Sequence, residues 1–331
     1  MSAMSAMSAK PPCAGYEATL RALAEADPRI VVLTAENRAA IRNLPAILGD
    51  RFIDFGICEQ TMVGAAAGLA LRGRIPVVHA LATFLTMRAF EFIRTDVGIA
   101  GLPVKLIGAV PGFLSDGNGP THQAIEDLTL MRGIPGMQVF WPADERELCE
   151  GLPAVLASPA PCYVRLNTRP SSMTGMTTGT AGTAARAPFA LGRAEILTDG
   201  DDLAVLGAGF LMPNIVEACG RLRTSDALGA RAINLRTLAP IDEQAIVDAA
   251  RACRVLVTVE DHLLVGGLYQ LVCEILVRHR LSVPVVPVGL DGRWFKPGRL
   301  PEVLDHEGFT PARLADRFLG AWMNVKGETR A

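Results

Sequence analysis

Three groups of residues in this chain have the types and spacing that chemistry requires. The first centres on one carboxylate, Glu59, in the stretch RFIDFGICEQTMVGAAAGLALRG from Arg51 to Gly73. A short apolar run, Phe52 to Phe55, stops at Gly56, and Met62, Val63, Ala66, Leu69 and Ala70 then recur at helical spacing. Glu59 therefore falls in the first turn of a helix that follows a strand, where the dipole and free backbone N–H groups favour negative charge. Taken alone it reads as an ordinary helix-start acid. The second group is the loop GFLSDGNGPTHQ, Gly112 to Gln123, in which Asp116, Asn118, Thr121, His122 and Gln123 crowd polar groups into a Gly- and Pro-constrained span. The third is ATFLTMRAFEFI, Ala82 to Ile93, with Phe84, Met87 and Phe90 at i, i+3 and i+6. By period alone that third group reads equally well as a core stripe.

Such residues need a scaffold, and the pattern around them alternates helical segments with short β-branched runs, as expected of a mostly parallel sheet. The order is a helix over Tyr16 to Ala26, a strand over Ile30 to Leu33, the Glu59 stretch, a strand over Pro76 to Ala80, a helix over Leu85 to Gly98 and a strand over Pro103 to Val110. After the polar loop come a helix from Ala124 to Arg132, a strand from Met137 to Trp141, a helix from Ala143 to Ala157 and a strand from Cys162 to Leu166. In open parallel sheets, ligands bind outside the carboxyl ends of the strands, which is where the polar loop falls.

TRPSSMTGMTTGTAGTAAR, residues 168–186, has no period and reads as a linker, taken as 168–188. It separates a first domain at 13–167 from a second at 189–323, while the repeated MSAMSAMSAK opening places a disordered segment at 1–12. The second domain opens with a hairpin, Ala194 to Leu197 and Leu203 to Leu206. It continues with a helix from Met212 to Leu222, a strand from Ala230 to Leu235, a helix from Asp242 to Ala252 and a strand from Val255 to Val259. A helix from Gly267 to His279, a strand from Val283 to Val288 and a closing helix from Pro311 complete it. The fold class is thus α/β, two domains, each a mostly parallel sheet flanked by helices.

Composition narrows the partners. The 331 residues are 50% hydrophobic and 20% charged, with a net charge of −2 and no basic stripe, so neither a nucleic acid nor a membrane partner is indicated. No apolar run reaches the ~18 residues of a span, and no signal peptide opens the chain, so a cytoplasmic location is expected. The seven cysteines are scattered and lack CxxC spacing, which reads as buried free thiols, Cys58 included as a small core filler. His79 reads as a satisfied core histidine, His262 as structural or interfacial, and His279 and His306 as surface residues. Gly207 and Gly209 of LGAGF lack a full dinucleotide fingerprint and read as a tight turn.

Together, the start at Gly56, Glu59 and Gln60, the TFL segment, GPTHQ (Gly119 to Gln123) and IPGMQVFWPADERE (Ile134 to Glu147) resemble the pyrimidine-binding domain of transketolases. LGRAEILTDGDDLAVLGAG, LRTLAPID and VTVEDHLLVGGL resemble the transketolase C-terminal domain in order and spacing. The resemblance covers residues 15–320 and implies a thiamine diphosphate enzyme that moves a two-carbon ketol unit between sugars. In that family a buried glutamate, here Glu59, hydrogen-bonds the cofactor's aminopyrimidine so that its exocyclic nitrogen takes a proton from the thiazolium C2. A buried carboxyl suits that role because it can share a proton with the ring.

By the same resemblance Phe84, Met87 and Phe90 flank the pyrimidine, with Phe90 the stacking partner, and Ile57 and Glu36 join them at the cofactor. His122, Asn118 and Gln123 face the substrate, His122 assisting proton transfers. Arg169 of LNTRP stands where relatives hold a substrate phosphate. Other phosphate positions depart from the family pattern: Val110 replaces a histidine, and Asn118 replaces an aspartate. An unusual sugar or sugar phosphate is therefore expected.

The GDG motif that holds the diphosphate and Mg²⁺ in this family is absent, the nearest match being Asp199-Gly200-Asp201. That absence implies half an enzyme, with the metal held by a partner chain in an α2β2 assembly. Alternative readings are the β subunit of a 2-oxo acid dehydrogenase E1 component and a non-catalytic binding subunit.

Overall fold

The computed structural model describes residues 14–170 and 187–328. The expected disordered segment at 1–12, and the linker over residues 171–186, lie outside the described residues.

The first half runs α1 (Tyr16–Ala26), β1 (Ile30–Thr34), α2 (Leu44–Leu48), β2 (Phe52–Asp54), α3 (Glu59–Leu71) and β3 (Ile75–Leu81). A composite helical stretch follows, made of a π-helical turn at Phe84–Arg88, the short α4 (Phe90–Phe92) and a second π-helical turn at Ile93–Gly98. Then come β4 (Lys105–Ala109), α5 (Asp127–Arg132), β5 (Gln138–Phe140), α6 (Glu145–Ala157) and β6 (Cys162–Arg165). The second half runs β7 (Glu195–Thr198), β8 (Leu203–Gly207), α7 (Met212–Ser225), β9 (Ala230–Asn234), β10 (Thr237–Ala239) and α8 (Glu243–Ala252). It ends with β11 (Val255–Leu263), α9 (Leu268–Arg278), β12 (Val285–Leu290), α10 (Leu300–Glu307) and α11 (Pro311–Glu328).

Two sheets result, ordered β10-β5-β6-β4-β3-β1-β2 and β12-β11-β8-β9-β7. In the first, every neighbouring pair is parallel except β10 with β5. The central strands β1, β3 and β4 are almost fully buried, as parallel strands covered on both faces must be, whereas edge strand β2 is only partly buried. β1 is followed outward by β2 and on its other side by β3, so the strand order reverses there and opens a crevice at the carboxyl ends of β1 and β3.

The expected hairpin does not form. β7 pairs antiparallel with β9, and β8 pairs parallel with the other edge of β9, so β9 lies between them. Two adjacent apolar runs with a short turn look like a hairpin locally, but here the parallel partner arrives only after α7. β10 is the other surprise: it leaves the second half of the chain to extend the first sheet, pairing Thr237 with Phe140. One apolar cluster accordingly runs from Leu33 and Trp141 through Leu128 and Met131 to Leu235 and Leu268, joining the two halves.

Candidate functional site

Glu59 is the first residue of α3, with Cys58 at the N-cap, and only 2% of it is exposed. Cys58 is exposed rather than a core filler, because the N-cap sits at the open end of the strand–helix turn. A cavity of about 330 Å³ opens at the crevice between β1 and β3, lined by Glu36, Ile57, Glu59, Leu81 and Phe84 among others. Four of the expected cofactor residues, Glu36, Ile57, Glu59 and Phe84, thus meet at one cavity. Ile57 is 66% exposed there, an apolar side chain left on the surface.

The backbone is held in uncommon conformations at the ends of two strands and in the polar loop. Glu36 at the end of β1 has φ 56°, Val110 after β4 has φ 48°, and Asp116 in the polar loop has φ 27°. Each left-handed non-glycine residue costs of order 1–3 kcal/mol and persists only where its surroundings impose it. At Glu36 the imposing group is Asp54. Its Oδ1 accepts from Glu36 N (3.2 Å) and Gly56 N (2.9 Å), and its Oδ2 accepts from Arg38 Nε (2.6 Å). Burial works to raise the Asp54 carboxyl, but the bonds from Gly56, Arg38 and Glu36 more than offset it and hold it below the usual carboxylate range. Asp54 therefore joins the β1 and β2 ends into one cavity rim.

The other wall is aromatic. Phe84 meets the His122 ring edge-on, centroids 5.1 Å apart at 66°, and Thr121 Oγ1 lies 2.9 Å from His122 Nδ1. Arg88 donates from Nη1 to Glu59 Oε2 at 2.9 Å, and its Cζ stands 4.3 Å from the Phe84 centroid. Glu59, Arg88, Phe84 and His122 form a continuous contact chain across the site. Arg88 escapes sequence reading, although a charge interrupting the apolar stretch TFLTMRAFEF is the signal that marks it.

The remaining expected residues lie further out. Met87 is half-exposed on the same π turn, its sulfur 3.9 Å from Thr83 Oγ1, and does not line the cavity. Phe90, expected as the stacking partner, packs against the apolar core, and Phe84 is the ring at the cavity wall. The π turns explain this, since their wider spacing takes i, i+3 and i+6 off a single face. Asn118 is exposed on the polar loop. Gln123 is buried, donating from Nε2 to Phe295 O at 2.9 Å, so it joins the loop to the second half rather than facing the cavity. Arg169 is exposed on the segment after β6, two strand positions from β3.

The polar loop is braced from behind by a buried ionic cluster that sequence reading also missed. Phe113 N donates to Asp261 Oδ2 (3.3 Å), and Arg165 donates to Asp261 Oδ1 (2.6 Å) and Asp127 Oδ1 (2.6 Å). Tyr163 OH donates to Asp127 Oδ2 at 2.6 Å. Burial works against the Asp127 charge, but Arg165 outweighs it and holds that carboxyl below its usual range. At Asp261 burial wins over Arg165 and pushes the carboxyl up to about 6. Arg165 lies on β6 and Asp261 on β11, so the cluster joins the two sheets.

Several other expectations meet the structure here. His79 is buried with Nε2 2.7 Å from Tyr16 OH, but Nδ1 has no partner among the described residues, so it is half satisfied. His262 is buried with Nδ1 2.6 Å from Leu263 O, while His279 and His306 are exposed. Gly209 takes φ 73° in the turn after β8, and Gly207 ends the strand. Among the described residues five cysteines are free, of which Cys162, Cys219 and Cys253 are buried, but Cys149 is disulfide-bonded and corrects the reading of free thiols throughout.

Comparison with known proteins gives a consistent picture. Models of the transketolase pyrimidine-binding domain and the transketolase C-terminal domain match residues 13–171 and 192–314. The chain is 34% identical, over 83% of its length and 83% of the relative's, to the 6-deoxy-6-sulfo-D-fructose transketolase subunit SqwH of a Clostridium species. It is 31% identical to 1-deoxy-D-xylulose-5-phosphate synthase of Symbiobacterium thermophilum, covering 93% of this chain and 46% of that enzyme. Among solved structures, a split gene transketolase described as an inactive beta4 tetramer superposes with a TM-score of 0.80 at 30% identity, covering 93% of this chain and 96% of that one.

Proposed function

Because this chain belongs to the transketolase family, we propose that it is the pyrimidine-binding half of a split, two-chain thiamine diphosphate-dependent transketolase that transfers a two-carbon ketol unit between sugars. The observation that carries this reading is a carboxylate 2% exposed yet lining a cavity of about 330 Å³ beside an aromatic ring. A buried carboxylate opening onto such a cavity suits a flat, nitrogen-bearing heterocycle, because the ring can bond the acid while its face packs on Phe84.

Thiamine diphosphate, when bound, supplies the carbanion chemistry of ketol transfer. The chain's residues prepare for it. Glu59 would share a proton with the pyrimidine ring nitrogen, donating the hydrogen bond while it holds that proton and accepting it once the ring does. Phe84 packs on the ring and positions His122, whose imidazole serves proton transfers at the substrate hydroxyls with Thr121 fixing its orientation. Asp54 fixes the rim, and Asn118 on the polar loop meets the sugar. Mg²⁺ and the diphosphate are assigned to a partner chain, in an α2β2 assembly, a reading supported by the similarity to a relative named as a transketolase subunit and to a split gene transketolase. The departures at Val110 and Asn118, with the similarity to a subunit named for a sulfo-sugar, favour a donor whose anionic end is not an ordinary phosphate.

The test is co-expression with a chain carrying the diphosphate motif, followed by a donor and acceptor screen that includes sulfo-sugars and assays for 1-deoxy-D-xylulose 5-phosphate formation. Ketol transfer dependent on thiamine diphosphate and Mg²⁺ is expected. Glu59→Gln should lower kcat by about 10²–10⁴-fold, the usual worth of positioned proton transfer, with the complex still assembled. Oxo-acid decarboxylation to an artificial acceptor, without ketol transfer, would replace this reading with the dehydrogenase β-subunit alternative.

A further inference from the structure

A second cavity, of about 490 Å³, lies at the opposite end of the first sheet from the candidate site. Ile30 and Ile75, the first residues of β1 and β3, are register partners and form its floor with Leu156, all three buried, while Leu23 and Pro103 extend the apolar wall. Arg29 and Arg74 each precede one of those paired isoleucines, so two guanidinium side chains stand side by side at the cavity. Asp27 is the only acid among the described lining residues, and it is spent on Arg29, whose Nε (3.0 Å) and Nη2 (2.7 Å) donate to it. Arg74 has no carboxylate partner among the described residues; its Nη1 donates to Pro28 O at 3.1 Å.

We propose that this cavity is a second binding site, for a small carboxylate with an apolar body, and that Arg74 receives the carboxylate. The size and the apolar lining with few polar groups are those of a small-molecule site, and a guanidinium presents a planar fork that matches a carboxylate. One feature of the surroundings opposes an anion: α1, α3 and α6 all end at this cavity, and helix carboxyl ends carry negative partial charge. Their carbonyls are already engaged, however. Arg51 Nη1 donates to Ala24 O at 2.7 Å, Gly73 N to Ala70 O at 2.9 Å, and Lys105 Nζ to Ser158 O and Ala160 O at 2.7 Å each. Lys105 thus adds a positive charge directly behind the wall that Ser158 helps to line. With Arg29 and Asp27 cancelling, Arg74 and Lys105 leave the cavity positive, and its apolar floor excludes an ion that lacks an apolar body.

Calorimetric titration of the full chain with octanoate, octylamine and acetate tests this, and it is independent of ketol transfer. Octanoate should bind saturably at a single site. Octylamine, which brings the wrong charge, and acetate, which lacks the apolar body, should each bind more than about tenfold more weakly. Arg74→Ala should weaken octanoate about tenfold, the worth of one charge-assisted bond. Ala26→Trp places a large ring where a lining methyl stands, at the exposed end of α1, and should abolish saturable binding. Arg74 is exposed as well, so Arg74→Ala should keep the parent's thermal midpoint and decides the matter should Ala26→Trp fail to fold. No saturable octanoate binding, equal binding of octylamine, or an affinity unchanged in Arg74→Ala would each overturn the proposal. A folded Ala26→Trp that binds like the parent would overturn it too, because the ligand would then lie elsewhere.

Discussion

Glu59 shows what a single side chain contributes and what its neighbours add. Its position at the head of α3 is a local property of the strand–Gly–helix sequence, but its burial and its approach by Arg88 belong to the packed site. Glu260 gives a second case with a measurable pH signature. Burial pushes its carboxyl up to about 8, although Tyr269 N and Leu268 N donate to it. The folded chain then holds a proton that the unfolded chain releases near 4.5, so between about pH 4.5 and 8 the folded state binds more protons and stability falls as pH rises. Glu260→Gln removes that titration while keeping an acceptor. Its thermal midpoint relative to the parent should climb from pH 5 to pH 9, as read by scanning calorimetry, and a flat difference would refute the assignment.

Between residue and molecule stand the loop and the elements that brace it. Gly112 opens the His122-bearing loop at φ 54°, and a Cβ there would lie 1.8 Å from Asp261 Oδ2. Gly112→Ala must therefore strain the backbone and push Asp261 off Arg165 and Phe113 N. A loss of about 2–4 kcal/mol in denaturant unfolding is expected. Faster amide deuterium exchange over residues 112–123 should accompany it, because the brace and the loop move together. Asp261 is on β11, so the second half of the chain is part of what shapes the candidate site, even though none of the cavity residues named above comes from it.

For the whole molecule, the proposed reading makes one firm demand: this chain purified alone should show no ketol transfer with thiamine diphosphate and Mg²⁺, and adding the diphosphate-domain chain should create it. Light scattering of the mixture should report a species of two copies of each chain. Full activity from the chain alone would end the half-enzyme reading.

Much of this was legible in the amino-acid order, because it depends on local chemistry. Hydrophobic period placed β1, β3, β4 and most helices, a Gly-ended strand put Glu59 on a helix start, and the crowding of polar groups in GFLSDGNGPTHQ marked a loop worth attention. Tertiary structure decided the rest. Strand partners separated by a helix, as β9 between β7 and β8, and the crossing of β10 into the first sheet depend on contacts distant in sequence. The π turns that seat Phe84 rather than Phe90 at the cavity, and bring Arg88 onto Glu59, arise from helix geometry that a 3.6-residue period does not describe. Residue types name the chemistry available at Glu59, while packing alone determines which charge and which ring stand beside it.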